Sequence, residues 1–443
     1  ADLMVEKGLK DAGYLNVNID DGFFNERDSN GKMQANKTRF PNGMKPVVDH
    51  IHSLGLKAGI YTDAGNNTCG SMADKDHAGV GAGIYGHEDQ DAQLYFGDWG
   101  FDFIKIDYCG GSFLGLDEEK RYTSIRNSID KVNKNVSVNI CRWAFPGTWA
   151  EKIANSWRIS GDINAHWNSL KYVVGKNLYL SAYARNGHYN DMDMMVIGFR
   201  DSCKVGGEGL TPTEEEAHFG LWCIMSSPLL IGCNLATMPE SSLQLVTNKE
   251  LIALNQDPLG RQAYVVQHEN EGYVLVKDIE QQRGNVRAVA LYNPSDTVCT
   301  FSVPFSTLEF DGNVKVRDLV KHNDLGTFSG TFEQTLPAHS GMFLRMEGET
   351  RLEPTLYEAE WAYLPLYNDL GKNSKGIVYS YDGQASGKMK VGFIGGQPEN
   401  YAEWSEVYSE KGGQYNMTIN YSFGKGRQLD LTVNGTTTRI NSL

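Results

Sequence analysis

Two carboxyls, Asp107 and Asp162, stand at the ends of separate β-rich runs. Cleaving a glycosidic bond needs such a pair, one to attack or to activate water and one to protonate the leaving oxygen. Lys105 precedes Asp107 by two residues, so in a strand both side chains leave the same face, and the ammonium favours the ionised carboxylate that a nucleophile must be. Arg158 stands four residues before Asp162. Asp21, Tyr61, Lys105 and Arg158 can exchange hydrogen bonds with the hydroxyls of a sugar or polyol. An aldolase or a metal-dependent hydrolase would use the same residue types. Taken alone, the residues indicate carbohydrate or polyol chemistry on a carboxylate pair and go no further.

Strands must bring these residues together. Up to about residue 260, short β-rich runs alternate with amphipathic stretches. The runs are Tyr14 to Asp20, Lys57 to Thr62, Phe101 to Asp107, Val136 to Cys141, Trp157 to Ser160, one ending near Asp193, and Leu229 to Gly232. Helical patterns lie between them at Met44 to Leu54, Asp89 to Trp99, Asp117 to Asn133 and Glu214 to Met225. So many strand–helix units favour an α/β fold of the closed (β/α)8 barrel type over an open sheet. Most runs end on polar residues: Asp20 and Asp21, Tyr61 and Asp63, Lys105 and Asp107, Arg142, Arg158 and Asp162, Asp191 and Asp193. In a parallel barrel these ends share one face, where sites of this fold lie. Singly, each is also an ordinary turn former or helix cap.

Beyond Gln262 the pattern turns to period-2 strands at Tyr264 to Gln267, Gly272 to Lys277, Arg287 to Tyr292, Cys299 to Val303, Val314 to Asp318 and Ser340 to Arg345. Turn residues such as Asn293-Pro294-Ser295-Asp296 separate them, as in an antiparallel β-sandwich. A third β-rich unit begins after Pro354, with strand patterns at Gln414 to Ser422 and Gln428 to Asn434. The expected organisation is a barrel over 1–261, a sandwich over 262–346 and a second, partial β-sandwich over 354–443.

The chain's 443 residues suit two or three domains. Its net charge of -14 repels phosphate, which argues against nucleic acid as a partner. No window is apolar enough for a membrane-spanning helix, so membrane insertion is not expected. The seven cysteines, at 69, 109, 141, 203, 223, 233 and 299, are too widely spaced for a CxxC redox or zinc motif. The sequence sets no oligomeric state.

Several strings, in order and at family-like spacing, resemble glycoside hydrolase family 27, the α-galactosidases and α-N-acetylgalactosaminidases. They are Asn18-Ile19-Asp20-Asp21, Lys57 to Gly65 with Thr68-Cys69, Asp98 to Cys109, Trp157-Arg158 with Asp162, Asn190 to Met194, Ser227 to Leu230 and Asn255 to Gly260. The resemblance covers residues 1 to about 345. It implies a retaining exo-α-glycosidase, most often an α-galactosidase, with Asp107 as nucleophile and Asp162 as acid/base. It also implies sugar contacts from Asp20, Asp21, Tyr61, Lys105 and Arg158, and a disulfide between Cys69 and Cys109 beside the pocket. No metal or organic cofactor is implied. The expected partner is an oligo- or polysaccharide substrate, and the implied disulfide suits an extracellular or periplasmic location.

Three departures bear on specificity. The family opens on an aromatic first strand, and this chain begins after it, so a barrel lacking its first strand and a third unit cut short are expected. Family α-galactosidases place Glu in a Cys-Glu-Trp string, where it meets the 2-hydroxyl, but this chain reads Cys141-Arg142-Trp143. Arg142 is therefore expected among the substrate-binding residues, where a guanidinium can only donate. The Gly70 to His87 insert stands where it could reshape the pocket rim. These departures keep isomaltodextranase, α-N-acetylgalactosaminidase and β-L-arabinopyranosidase as alternatives within the family, and a non-catalytic glycan-binding protein as the rival class. The third unit resembles carbohydrate-binding modules of the family 6 and 35 type through Tyr357-Glu358-Ala359-Glu360, Val391 to Gly396 and Gly413-Gln414-Tyr415.

Overall fold

Runs such as Lys57–Asp63, with every residue after Lys57 buried, become strands covered on both faces, the condition under which parallel sheets form. The computed structural model describes residues 1–199, 207–269, 271–370, 377–422 and 426–441. Its parallel strands are β1 (Asn16–Asn18), β2 (Lys57–Asp63), β3 (Phe103–Asp107), β4 (Ser137–Ile140), β5 (Ser156–Arg158) and β6 (Tyr189–Asp191). They pair in that order as one curled sheet. The run at Leu229 to Gly232 contributes a single parallel bridge, Ile231 to Met195, rather than a full strand.

Parallel neighbours need crossovers, and helices supply them. The Glu118–Val132 helix starts where the Asp117 side chain accepts from Lys120 N–H, and it buries Tyr122, Ile125 and Ile129 on one face. The helical pattern from Asp89 to Trp99 forms an α-helical turn, Glu88–Ala92, that widens into a π-helix over Gln93–Trp99, where Tyr95 stacks on Trp99. No described helix is long and apolar enough to cross a membrane.

The sandwich contains β7 (Tyr264–Glu269), β8 (Gly272–Asp278), β9 (Val286–Asn293), β10 (Cys299–Pro304), β11 (Phe310–Asp318), β12 (Asn323–Ser329), β13 (Thr331–Leu336) and β14 (Ser340–Arg351). Six of them form a sheet in the order β12-β11-β14-β9-β8-β7, with the pair β10 and β13 forming a second, two-stranded sheet. Strands β12 and β13 were not among the sequence-expected runs. At its centre the larger sheet is buried on both sides. Val289 and Leu291 of β9 join the sandwich core, while Ala288, Ala290 and Tyr292 join the barrel core.

The helix Pro212–Ile224 lies against β14, and a Cβ added at Gly220 would fall 2.0 Å from the Phe343 ring. Gly220→Ala is therefore expected to destabilise the chain by about 1–3 kcal/mol, the clash outweighing the roughly 1 kcal/mol that alanine gains in a helix. A urea unfolding midpoint at or above the wild-type value would refute this.

Residues 1–406 form one compact unit and Val407–Leu443 a second. Within the first, residues beyond Pro354 form the antiparallel pair Val378–Tyr381 and Met389–Gly392, and Trp361 donates its indole N–H to the Val265 carbonyl. Within the second, Leu429–Val433 pairs with Thr436–Ile440. The strand expected at Gln414 to Ser422 does not form: these residues are exposed and have no ladder partner among the described residues. Among the described residues from 354 on, then, the antiparallel structure consists of two-stranded ladders and the Tyr363–Glu403 bridge.

Candidate active site

The parallel strands end along one edge, and their register decides which side chains meet there. Tyr61 of β2 lies beside Lys105 of β3, Asp63 beside Asp107, and Arg158 of β5 beside Asp191 of β6. Period 2 sends Lys105 and Asp107 to one face while Ile104 and Ile106 pack on the other.

Asp107 is 5% exposed, and its Oδ1 is buried without a hydrogen-bond partner among the described residues. Burial lifts its carboxyl above the ordinary aspartate value, against the lowering pull of Lys105 and of contacts with Cys141 and Tyr61. Lys105 thus acts in the expected direction, but desolvation outweighs it. The ammonium itself is spent elsewhere, with Nζ 2.9 Å from Asp20 Oδ2 and 5.5 Å from the centre of the Tyr61 ring. Burial opposes ionisation of Asp20 as well, yet the Lys105 charge holds its carboxyl below the usual value. Asp21 Oδ2 accepts from Gly70 N–H at 2.7 Å, so the Gly70 to His87 insert is tied to the edge of the site through its first residue.

On the other side, Arg158 is 4% exposed and its Nη2 lies 2.9 Å from both Asp162 Oδ1 and Asp193 Oδ2. Asp193 also accepts from Ile163 N–H at 2.9 Å, which fixes the loop that presents Asp162. The Asp162 side chain is 75% exposed. The site therefore offers one buried carboxyl and one solvent-facing carboxyl held by a guanidinium.

A disulfide joins Cys69 and Cys109, linking the loops after β2 and β3. Beneath it, fully buried Asp63 accepts from Gly65 N–H at 2.6 Å and Gly110 N–H at 3.0 Å. Burial, opposed by the Gly65 amide and reinforced by the Asp107 charge, pushes the Asp63 carboxyl up to about 7. Cys203 lies outside the described residues.

Arg142 is the exception among the expected site residues. Its Nε donates to Glu118 Oε1 at 2.9 Å, and its guanidinium lies 5.5 Å from the centre of the Tyr108 ring. Cys141, on the parity of Asn139, contacts Asp107, while the next residue, Arg142, is paired with Glu118. Cys141 was not among the expected site residues, and Asp193 was expected only as one of the polar strand ends on that face. Strand parity in β4 would have indicated Cys141, and the Asn190-Asp191-Met192-Asp193 string held the clue to Asp193.

The family described as "Alpha galactosidase A" matches residues 1–257, and "Alpha galactosidase C-terminal beta sandwich domain" matches 273–346. Alpha-galactosidase 3 of Arabidopsis thaliana is 36% identical over 345 residues, covering 76% of this chain and 74% of the relative. Alpha-galactosidase A of Cellvibrio japonicus is 34% identical over 370 residues, covering 78% and 86%. The crystal structure of alpha-galactosidase I from Mortierella vinacea superposes with a TM-score of 0.70 at 30% identity, covering 79% of this chain and 92% of that one.

Proposed function

Because the chain belongs to the α-galactosidase family of glycoside hydrolases, we propose that it releases terminal α-D-galactosyl residues by double displacement on Asp107 and Asp162. The observation that carries the assignment of roles is the contrast between the two carboxyls. Asp107 is buried at a strand end with an unspent oxygen, as suits attack on carbon, while Asp162 is open to solvent on an arginine tether, as suits proton exchange with a leaving group and with water. Asp20, Asp21, Tyr61, Lys105 and Arg158 surround the pair and supply donors and acceptors for ring hydroxyls. Residues 354–443 are proposed to hold the polysaccharide on which the barrel works; exposed aromatic rings there, Trp404 among them with Tyr381, Phe393 and Tyr415, favour this. The Cys69–Cys109 bond favours secretion into an oxidising space.

Proton NMR of p-nitrophenyl α-D-galactoside hydrolysis tests this reading: α-galactose should be the first product. Appearance of the β anomer first would overturn double displacement. Cleavage of another aryl α-glycoside in preference would overturn the substrate.

The ion pair with Glu118 gives Arg142 a structural part, and it is proposed not to touch the sugar. Arg142→Ala should then leave kcat/KM for aryl α-galactoside within about threefold while costing about 1–3 kcal/mol of stability, because the mostly buried Glu118 carboxylate loses its guanidinium. A tenfold or greater fall in kcat/KM at unchanged stability would place the guanidinium on the substrate.

A further inference from the structure

The turn after β4, residues 141–149, leaves the floor of the candidate site and is gripped by a segment more than 200 residues later in the chain. Cys141 begins the turn, touching Asp107 and lying 3.6 Å from Arg158 Nη1. Farther along, Trp143 has φ 59 and Gly147 φ 118, both left-handed values. A tryptophan seldom adopts such a backbone unless its surroundings impose it. Contacts from outside the turn must therefore hold its shape.

Tyr183 and Trp157 pack on the Phe145 ring, and residues 365–369 supply further contacts. Phe145, 1% exposed, stacks on Tyr367 with centroids 5.5 Å apart and planes 20° from parallel. The Phe145 carbonyl accepts from Asp369 N–H at 2.9 Å, and Thr148 Oγ1 donates to the Pro365 carbonyl at 2.7 Å. Lys176 Nζ, 2.7 Å from Asp369 Oδ2, fixes that segment to the helix Trp167–Asn177. Two backbone-directed hydrogen bonds and one aromatic stack thus clamp the turn at Phe145 and Thr148, beyond Trp143 along the chain.

We propose that Tyr367 and Asp369 are positioning residues for the galactosidase pocket: they hold the 141–149 turn, and with it the Cys141 wall beside Asp107, in the conformation that receives the sugar. This rests on the galactosidase reading above. On it, residues 365–369 work as part of the barrel's binding machinery, although they lie beyond the sandwich in sequence.

The test uses the full chain as wild type, Tyr367→Ala and Tyr367→Phe. The stack is carbon on carbon, so phenylalanine should preserve it. With Tyr367→Ala, KM for p-nitrophenyl α-D-galactoside should rise about tenfold while kcat stays within about threefold, since the wall moves but Asp107 stays on its strand and Asp162 on its Arg158 tether. Tyr367→Phe should restore the wild-type KM. Amide hydrogen exchange across residues 143–148 should quicken in Tyr367→Ala and not in Tyr367→Phe. Simple loss of folded protein would lower apparent kcat at unchanged KM, and that result overturns the proposal. Unchanged exchange overturns it whatever the kinetics; faster exchange with unchanged KM overturns the link to the pocket. If the wild type cleaves no galactoside, the galactosidase reading fails, while the exchange comparison still decides whether Tyr367 holds the turn.

Discussion

Asp107→Ala lowers kcat on p-nitrophenyl α-D-galactoside by at least about 10⁴-fold, the scale seen when a nucleophile is removed from a site that otherwise stays assembled. Its side chain sits at a strand end with Oδ1 unpaired, and its other contacts are with the Tyr61 and Cys141 side chains rather than with the backbone of another element, so the variant should fold. Added azide can then attack from the face that Asp107 vacates, forming the carbon–nitrogen bond as the aryloxide leaves, and the product is β-galactosyl azide. Residual turnover above about one tenth of wild type would remove Asp107 from the nucleophile's role. The wild-type pH profile carries a second expectation. Attack needs the carboxylate, and burial raises the Asp107 pKa, so activity falls as pH drops through a value above the ordinary 3.8. An acid limb below 3.8 would contradict the burial argument.

Asp162→Asn gives a smaller loss that depends on the leaving group. An amide still accepts from Arg158, so the loop held through Asp193 should keep its shape. For an α-galactosyl oligosaccharide, whose leaving oxygen must be protonated, kcat/KM should fall by about 10³-fold or more. For an aryl galactoside with an acidic phenol the first step needs little help, and water attack on the galactosyl-enzyme becomes limiting. KM should therefore drop together with kcat as that intermediate accumulates. Azide should restore turnover here too, with α-galactosyl azide as product, the anomer opposite to that from Asp107→Ala. Equal losses on both substrates, or the same azide anomer from the two variants, would sink the division of labour.

Much of this was legible because it depends on spacing along the chain. Lys105 and Asp107 share a face by the two-residue period of a strand, and the alternation of runs and helical stretches required parallel strands with polar residues gathered at one edge. The order of the family strings marked Asp162 behind Arg158, and the family resemblance implied the Cys69–Cys109 pairing that the structure contains. Strand β12 escaped notice for a related reason. It lies at the edge of its sheet with five of seven residues exposed, so no alternation of apolar residues marks it, and only backbone pairing to β11 makes it a strand.

The remainder depended on partners far away in the chain. Arg142 follows Cys141 directly, yet its direction was settled by Glu118, 24 residues earlier, and by the Tyr108 ring. Asp193 became the second anchor of Arg158 only when β5 and β6 lay side by side. The grip of Tyr367 and Asp369 on the turn after Cys141 spans more than 200 residues. Lys105 beside Asp107 suggested a lowered pKa, but folding removed enough water to reverse the sign. Covalent spacing fixes which face of a strand a side chain leaves from. Which group meets it, and how much water surrounds it, follow from packing between distant segments, and only the tertiary structure decides those.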